Sequence, residues 1–138
     1  MSRSGYVDDF DNEWQLIRWR GAVASAIRGK RGQAFLREML AALDAIPTKQ
    51  LLSHELDTLQ GCCALGAVGR QRHMEMSRID PEDRDTVAGA FAIPFSLACE
   101  IMYENDEGGG YWRNETPKQR WVRVRRWVES KLRFEVGR

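Results

Sequence analysis

Cysteine, proline and histidine are scarce in this 138-residue chain, at three, four and two residues. Cys62 and Cys63 are adjacent, the total is odd and no C-x-x-C spacing occurs. That excludes an even disulfide framework and a thiolate metal site, and no metal or cofactor is expected. No run of about 18 apolar residues is present, which excludes a bilayer-spanning helix. The longest candidate, Phe91 to Cys99, is interrupted by Pro94. Met1-Ser-Arg-Ser-Gly lacks the hydrophobic segment of a secretory signal, so a cytoplasmic protein without membrane contact is expected. Nucleophile-elbow, zincin, Walker and dinucleotide-binding motifs are all missing.

What the chain does have is apolar content and segregated charge. It is 43% hydrophobic with five tryptophans, enough for a packed core. Its length suits one domain, expected over residues 11–138 behind a mobile tail, 1–10. The formal net charge of +1 hides opposite blocks. Residues 14–37 carry six bases (Arg18, Arg20, Arg28, Lys30, Arg31, Arg37) and no acid. Residues 113–138 carry nine bases against three acids, whereas residues 75–107 carry nine acids against two bases. Opposite faces could neutralise one another inside the molecule, or steer a charged partner.

The hydrophobic spacing predicts a mainly α fold, a single bundle of about six short helices. Asp11-Asn12-Glu13 offers an N-cap to a helix bearing Trp14, Ile17, Trp19, Val23 and Ile27 and ending near Gly29. Lys30-Arg31-Gly32 reads as a tight connection. Phe35, Leu36, Met39, Leu40, Leu43 and Ile46 then mark one buried face of a second helix, stopped by Pro47. Gln50 to Leu59 fits a helical turn or a half-exposed strand, so a small β-hairpin near residues 50–60 is allowed. Cys63 to Arg70 reads as a short helix whose Gly66 and Gly69 imply close approach of a neighbouring backbone. Asp80-Pro81-Glu82-Asp83 has the pattern of a helix start. Pro94 opens another helix with Leu97, Ala98, Ile101 and Met102, closed by Asn105-Asp-Glu-Gly-Gly-Gly. Thr116-Pro117-Lys118-Gln119 predicts a capping box, with Trp121, Val124, Val128 and Leu132 on one face behind it.

Four constellations could carry chemistry. Residues 83–103 have helix-turn-helix spacing, but the second helix carries Glu100, Glu104, Asp106 and Glu107 and no base, so duplex phosphates would repel it. Arg120, Arg123 and Arg126 interleave with Trp127, which allows single-strand nucleic-acid binding by phosphate pairing and stacking. Trp121 falls on the apolar side, where a core role is the default. Cys63 lies at a helix N-terminus that could activate a thiol, with His54 or His73 as base and Asp57 or Glu75 as orienter; a buried small hydrophobe is the simpler reading. Asn105-Asp106-Glu107 lacks the order of a calcium loop. Yet acids at a helix C-terminus oppose its dipole. Glu104, Asp106 and Glu107 therefore need solvent, an internal arginine or an external basic partner.

The series Asp11 to Val23, Gly29 to Arg37, Cys63-Ala-Leu-Gly-Ala, Asp80-Pro-Glu-Asp, Tyr103 to Gly108 and Glu115-Thr-Pro with Arg120-Trp121 resembles a group of small uncharacterised proteins of tailed phages and prophage-bearing bacteria. The resemblance covers about residues 8 to 130. No activity is established for that group, so no catalytic residue carries over. It implies an accessory protein that binds, and inhibits or redirects, a host protein such as a defence system.

The combined expectation is a non-enzymatic interaction protein with a host protein as partner. Its contacts would be the basic link (Arg20, Arg28, Lys30, Arg31) and the acidic loop (Glu104, Asp106, Glu107). A cysteine hydrolase or transferase using Cys63, a single-strand nucleic-acid binder and a homodimer remain open beside it.

Overall fold

The computed structural model describes residues 3–4, 13–108 and 114–133. The expected caps Asp11 and Asn12, most of the expected tail, and Gly109 and Gly110 lie outside the described residues. Among those described, the chain is mainly helical. Its elements are α1 (Glu13–Arg28), α2 (Lys30–Ala45), β1 (Asp57–Thr58), β2 (Gly61–Cys62), α3 (Ala64–Gln71), α4 (Arg84–Phe91), α5 (Phe95–Glu107) and α6 (Pro117–Lys131). The hairpin is minimal, with Asp57 opposite Cys62 and Thr58 opposite Gly61 in antiparallel register.

Periodicity explains the core. Leu36, Met39 and Leu43 of α2 are wholly buried, in one cluster with Leu65 and Val68 of α3, Val87 and Phe91 of α4, Leu97, Ile101 and Met102 of α5, and Val124 and Val128 of α6. The capping box on α6 is complete, with Thr116 Oγ1 accepting from Gln119 N–H and the Gln119 side chain accepting from Thr116 N–H. Trp121 donates its indole N–H to the Leu43 carbonyl at 2.9 Å, the core role expected of it. No single helix among the described residues is long and apolar enough to cross a membrane.

Two local readings are corrected. Lys30-Arg31-Gly32 is not a link: these residues are the first turn of α2, and Gly29 alone joins it to α1. A corner of one residue is open because Gly32 has no side chain. A Cβ there would stand 1.7 Å from the Ala26 carbonyl oxygen. Buried Gln33 then staples the corner, donating to the carbonyls of Ile27 and Lys131 and accepting from Arg133 N–H. The second correction is at Asp80. Its carboxylate accepts from Glu82 N–H and its carbonyl from Asp83 N–H, which closes a turn around Pro81. Asp83 is the true cap of α4, accepting from Thr86 N–H at 3.2 Å.

Gly66 matches the expectation of close backbone approach: a Cβ would lie 1.8 Å from the Leu56 carbonyl oxygen. Gly69 instead makes room for the Met76 side chain, 2.2 Å from the same hypothetical atom. The α4–α5 break turns the chain through 107°, with Ala92 in the left-handed region at φ 57°. Gly66→Ala should destabilise the protein by about 1–3 kcal/mol, the usual cost of overpacking. Gly89→Ala, where nothing lies within 4 Å, should stabilise it by up to about 1 kcal/mol. Urea denaturation followed by circular dichroism checks both.

Candidate functional site

The C-terminal end of α5 gathers the densest polar network. Asn105 is fully buried. Its Oδ1 accepts from Ala64 N–H at 3.0 Å, completing the N-terminus of α3, and its Nδ2 donates to the Leu52 carbonyl at 2.8 Å. Asp106, its side chain also buried, accepts from Asn105 Nδ2 at 2.9 Å and from His54 N–H at 3.0 Å. It also takes both prongs of a guanidinium fork, Arg3 Nε at 2.5 Å and Nη2 at 3.0 Å. Arg3 and Ser4 are buried, so this part of the expected tail is fixed to the domain.

The acids at the end of α5 thus meet internal arginines. Asp106 has Arg3. Glu104 lies 3.9 Å from Arg123, whose guanidinium also donates to the carbonyls of Glu104 and Asn105 and forks onto Glu115. Arg123 therefore satisfies carbonyls that a helix end leaves without partners and supplies the cation its dipole favours. Burial, with Glu100 nearby, raises the Glu104 pKa above its ordinary 4.5 against the pull of Arg123. Glu107 is half-buried beyond them.

Cys63 caps α3, its Sγ accepting from Gly66 N–H at 3.4 Å, and is fully buried. His54, at φ 63°, sets its half-exposed ring with Nδ1 3.6 Å from Asp106 Oδ2. His73 lies just past the far end of α3, its N–H on the Arg70 carbonyl, and a helix of eight residues separates it from Cys63. Neither proposed orienter stands beside a histidine–thiol pair. Asp57 is paired with Arg70 at 2.7 Å, and Glu75 accepts from Ser77. The carboxylate near His54 is Asp106. Burial pushes the neighbouring Cys62 thiol up to about 12.

The basic candidates divide. Arg120 and Arg123 are turned inward, Arg120 donating to the Leu51 carbonyl at 3.0 Å and lying 3.5 Å from Glu115. Trp127 is half-buried against the core, and Arg126 is exposed. By contrast Arg20, Arg28, Lys30 and Arg31 are all exposed, as is Arg18. α1 also presents Trp14 at 72% and Ile17 at 59% exposure. Trp14, Ile17, Arg18, Gly21, Ser25 and Arg28 follow the three-and-four spacing of one helical stripe, and Gly21 has no neighbour within 4 Å of where a Cβ would be. Among the described residues, no group of three or more His, Cys, Asp or Glu is arranged to hold a metal ion.

No family model, curated protein or solved structure matches the chain.

Removing one partner of a buried ion pair strands the other, so Asp106→Asn should cost on the order of 3 kcal/mol. Glu104→Gln should behave oppositely. A carboxyl whose folded pKa lies above its unfolded value favours folding only while protonated. Its charge is therefore unfavourable at pH 7, and the glutamine variant should unfold at higher urea there. That advantage should vanish as the pH falls below 4.5, where the carboxyl is protonated in both states. Paired urea titrations at pH 7 and pH 3.5 read both effects.

Proposed function

We propose that this chain is an interaction module, a phage- or prophage-type accessory protein that docks an acidic surface of a host protein. The contact face is the exposed stripe of α1 and the first turn of α2. The observation carrying this reading is the company that Trp14 and Ile17 keep. They are exposed on the stripe that carries Arg18 one turn on and Arg28 at the far end of α1, with Arg20, Lys30 and Arg31 exposed elsewhere on α1 and in the first turn of α2; none of these five cations meets an acid among the described residues. An aromatic anchor within a rim of cations is the composition of a binding hot spot.

Two further features support it. Lys30 and Arg31 stand in the first turn of α2, which holds no acid and no side-chain cap. Cations at the positive end of a helix repel it, and an anionic partner would relieve that. Gly21 costs an exposed helix about 1 kcal/mol relative to Ala and nothing in the described structure needs it, whereas a partner approaching closely would. Of the expected acidic loop, Asp106 and Glu104 already hold Arg3 and Arg123, which leaves Glu107 alone and favours the basic residues as the contact face.

A tagged pull-down from nuclease-treated bacterial lysate tests this reading, comparing wild type with Arg18→Glu/Arg28→Glu/Arg31→Glu. A protein retained after nuclease and lost with the triple variant is expected. Retention unchanged by charge reversal would remove α1 as the face. Nucleic acid alone, lost on digestion, would reassign the partner. Gly21→Ala should raise stability by up to about 1 kcal/mol while weakening capture, a split that thermal melts and the same pull-down would record.

A further inference from the structure

Two exposed regions of opposite charge meet at one half-buried ring. The first is the contact face of α1 and the first turn of α2, whose cations meet no acid among the described residues. The second is the turn from Asp80 to Asp85 at the start of α4. Asp80, Glu82, Asp83 and Asp85 are exposed there and outnumber the exposed base Arg78 beside them. Asp80 and Asp83 each use one oxygen on a backbone N–H, while Glu82 and Asp85 are in no ion pair among the described residues. The ring is Phe95. Trp19 of α1 meets it edge-on, with centroids 5.9 Å apart. Arg84, from within the acidic turn, lies 5.8 Å from its centroid and donates to the Ser4 carbonyl. The base of the turn is thus drawn toward the body of the protein, and its acids are left outward. Since the middle of α1 and the start of α4 both reach Phe95, the acidic turn stands beside α1 rather than at an opposite pole.

We propose that a second copy of this chain covers the α1–α2 face when no host protein does, the acidic turn of each protomer lying on the basic face of the other. A surface carrying both signs side by side is self-complementary about a two-fold axis, and such an interface closes at two molecules. Charges at opposite poles would instead link copies head to tail. The inference rests on the contact face assigned above and adds its regulation: a host protein reaches α1 by displacing a copy. The apolar surface beside these acids is small, the half-buried Ile79 and Pro81. The contact between copies is therefore mainly electrostatic, quick to form and quick to part, as displacement requires.

Sedimentation equilibrium of the full chain tests it. Wild type should pass from monomer to dimer as concentration rises. Its dissociation constant should rise at least about tenfold between about 0.1 M and 1 M salt, as the Debye length shrinks from about 10 to about 3 Å. Arg18→Glu/Arg28→Glu/Arg31→Glu and Glu82→Lys/Asp85→Lys, the latter keeping Asp80 and Asp83, should each be monomeric alone. Mixed, they restore opposite signs at both contacts and should pair again. Glu55→Lys/Glu75→Lys has the net charge of the turn variant but a native turn, and both positions are exposed. Mixed with the arginine variant it should pair at least about tenfold more weakly than the swapped pair. A monomer at every loading up to about 1 mM, a dimer untouched by either variant, or a control mixture as strong as the swapped pair overturns the proposal. If Asp85→Lys costs helical circular dichroism, Glu82→Gln/Asp85→Asn takes its place, and an unweakened dimer there overturns it too. In the pull-down, with bait at dimer-forming concentration, the turn variant should capture more host protein than wild type, and no gain overturns the competition. Capture without any wild-type dimer ends this inference alone, whereas a dimer without capture ends the host-protein reading alone.

Discussion

One side-chain pair, Asn105 and Asp106, decides how the ends of this molecule meet. An α-helix leaves its last carbonyls and its first N–H groups without partners. The C-terminal end of α5 and the N-terminal end of α3 resolve both shortages together. Asn105 supplies the acceptor that Ala64 N–H lacks and ties down the Leu52 carbonyl. Arg123 covers the carbonyls of Glu104 and Asn105. Asp106 would be the most costly group in the structure if left alone, a buried carboxylate at the negative end of a helix. Arg3 makes it tolerable, and that brings the start of the chain into the domain. Segments 103 residues apart are therefore joined by a charge that neither could bury alone.

The same logic sorts the charge segregation. Arg72 forks onto Glu38 and donates to the Phe91 carbonyl, linking α2, α3 and α4, while Arg125 forks onto Asp44 to fix α6 on α2. Planar bidentate geometry explains why arginine fills these places. Of the acids at the end of α5, Asp106 is met by Arg3 and Glu104 by Arg123, while the α6 bases Arg120, Arg123 and Arg125 also meet Glu115, Asp44 and Glu129. Two concentrations of charge face outward: the basic residues of α1 and the start of α2, and the acidic turn formed by Asp80, Glu82, Asp83 and Asp85, all exposed.

Local rules made much of the fold legible. The apolar spacing from Phe35 to Ile46, the box at Thr116 and the glycine of close approach at Gly66 are local statements, and each stands as read. Misreadings arose where two local rules competed. Asp80-Pro81 satisfies the pattern of a cap with proline behind it, but Asp83 satisfies the cap as well and stands one turn before the first apolar residue, Val87, three positions closer than Asp80. Lys30 and Arg31 looked like a connection because bases and glycine do not announce a helix start; the steric freedom at Gly32 that permits it concerns the backbone of Ala26. The polar cluster was half visible. Acids at a helix end demanded a cation, and an internal arginine was among the answers. That the cation would be Arg3, in a stretch read as tail, has no local signal. Asn105 reads as part of a helix-ending loop, because an asparagine before acids and glycines looks like loop chemistry; the burial of its amide against α3 has no local signal.

The exposed stripe combines two forces that act at different ranges. Charge on Arg18, Arg20, Arg28, Lys30 and Arg31 acts over a Debye length of about 8 Å at physiological salt, so toward the acidic surface proposed above it would speed encounter more than hold a complex. Holding requires desolvated contact. On this face that contact can come from Trp14 and Ile17, since the remaining apolar residues of α1 turn inward or are too small. Burial of a central tryptophan is commonly worth about 2 kcal/mol or more, while a rim cation contributes little once water returns. A partner that supplied only negative charge would therefore associate quickly and leave quickly. A stable complex needs a partner with an apolar pocket for Trp14 inside its acidic rim.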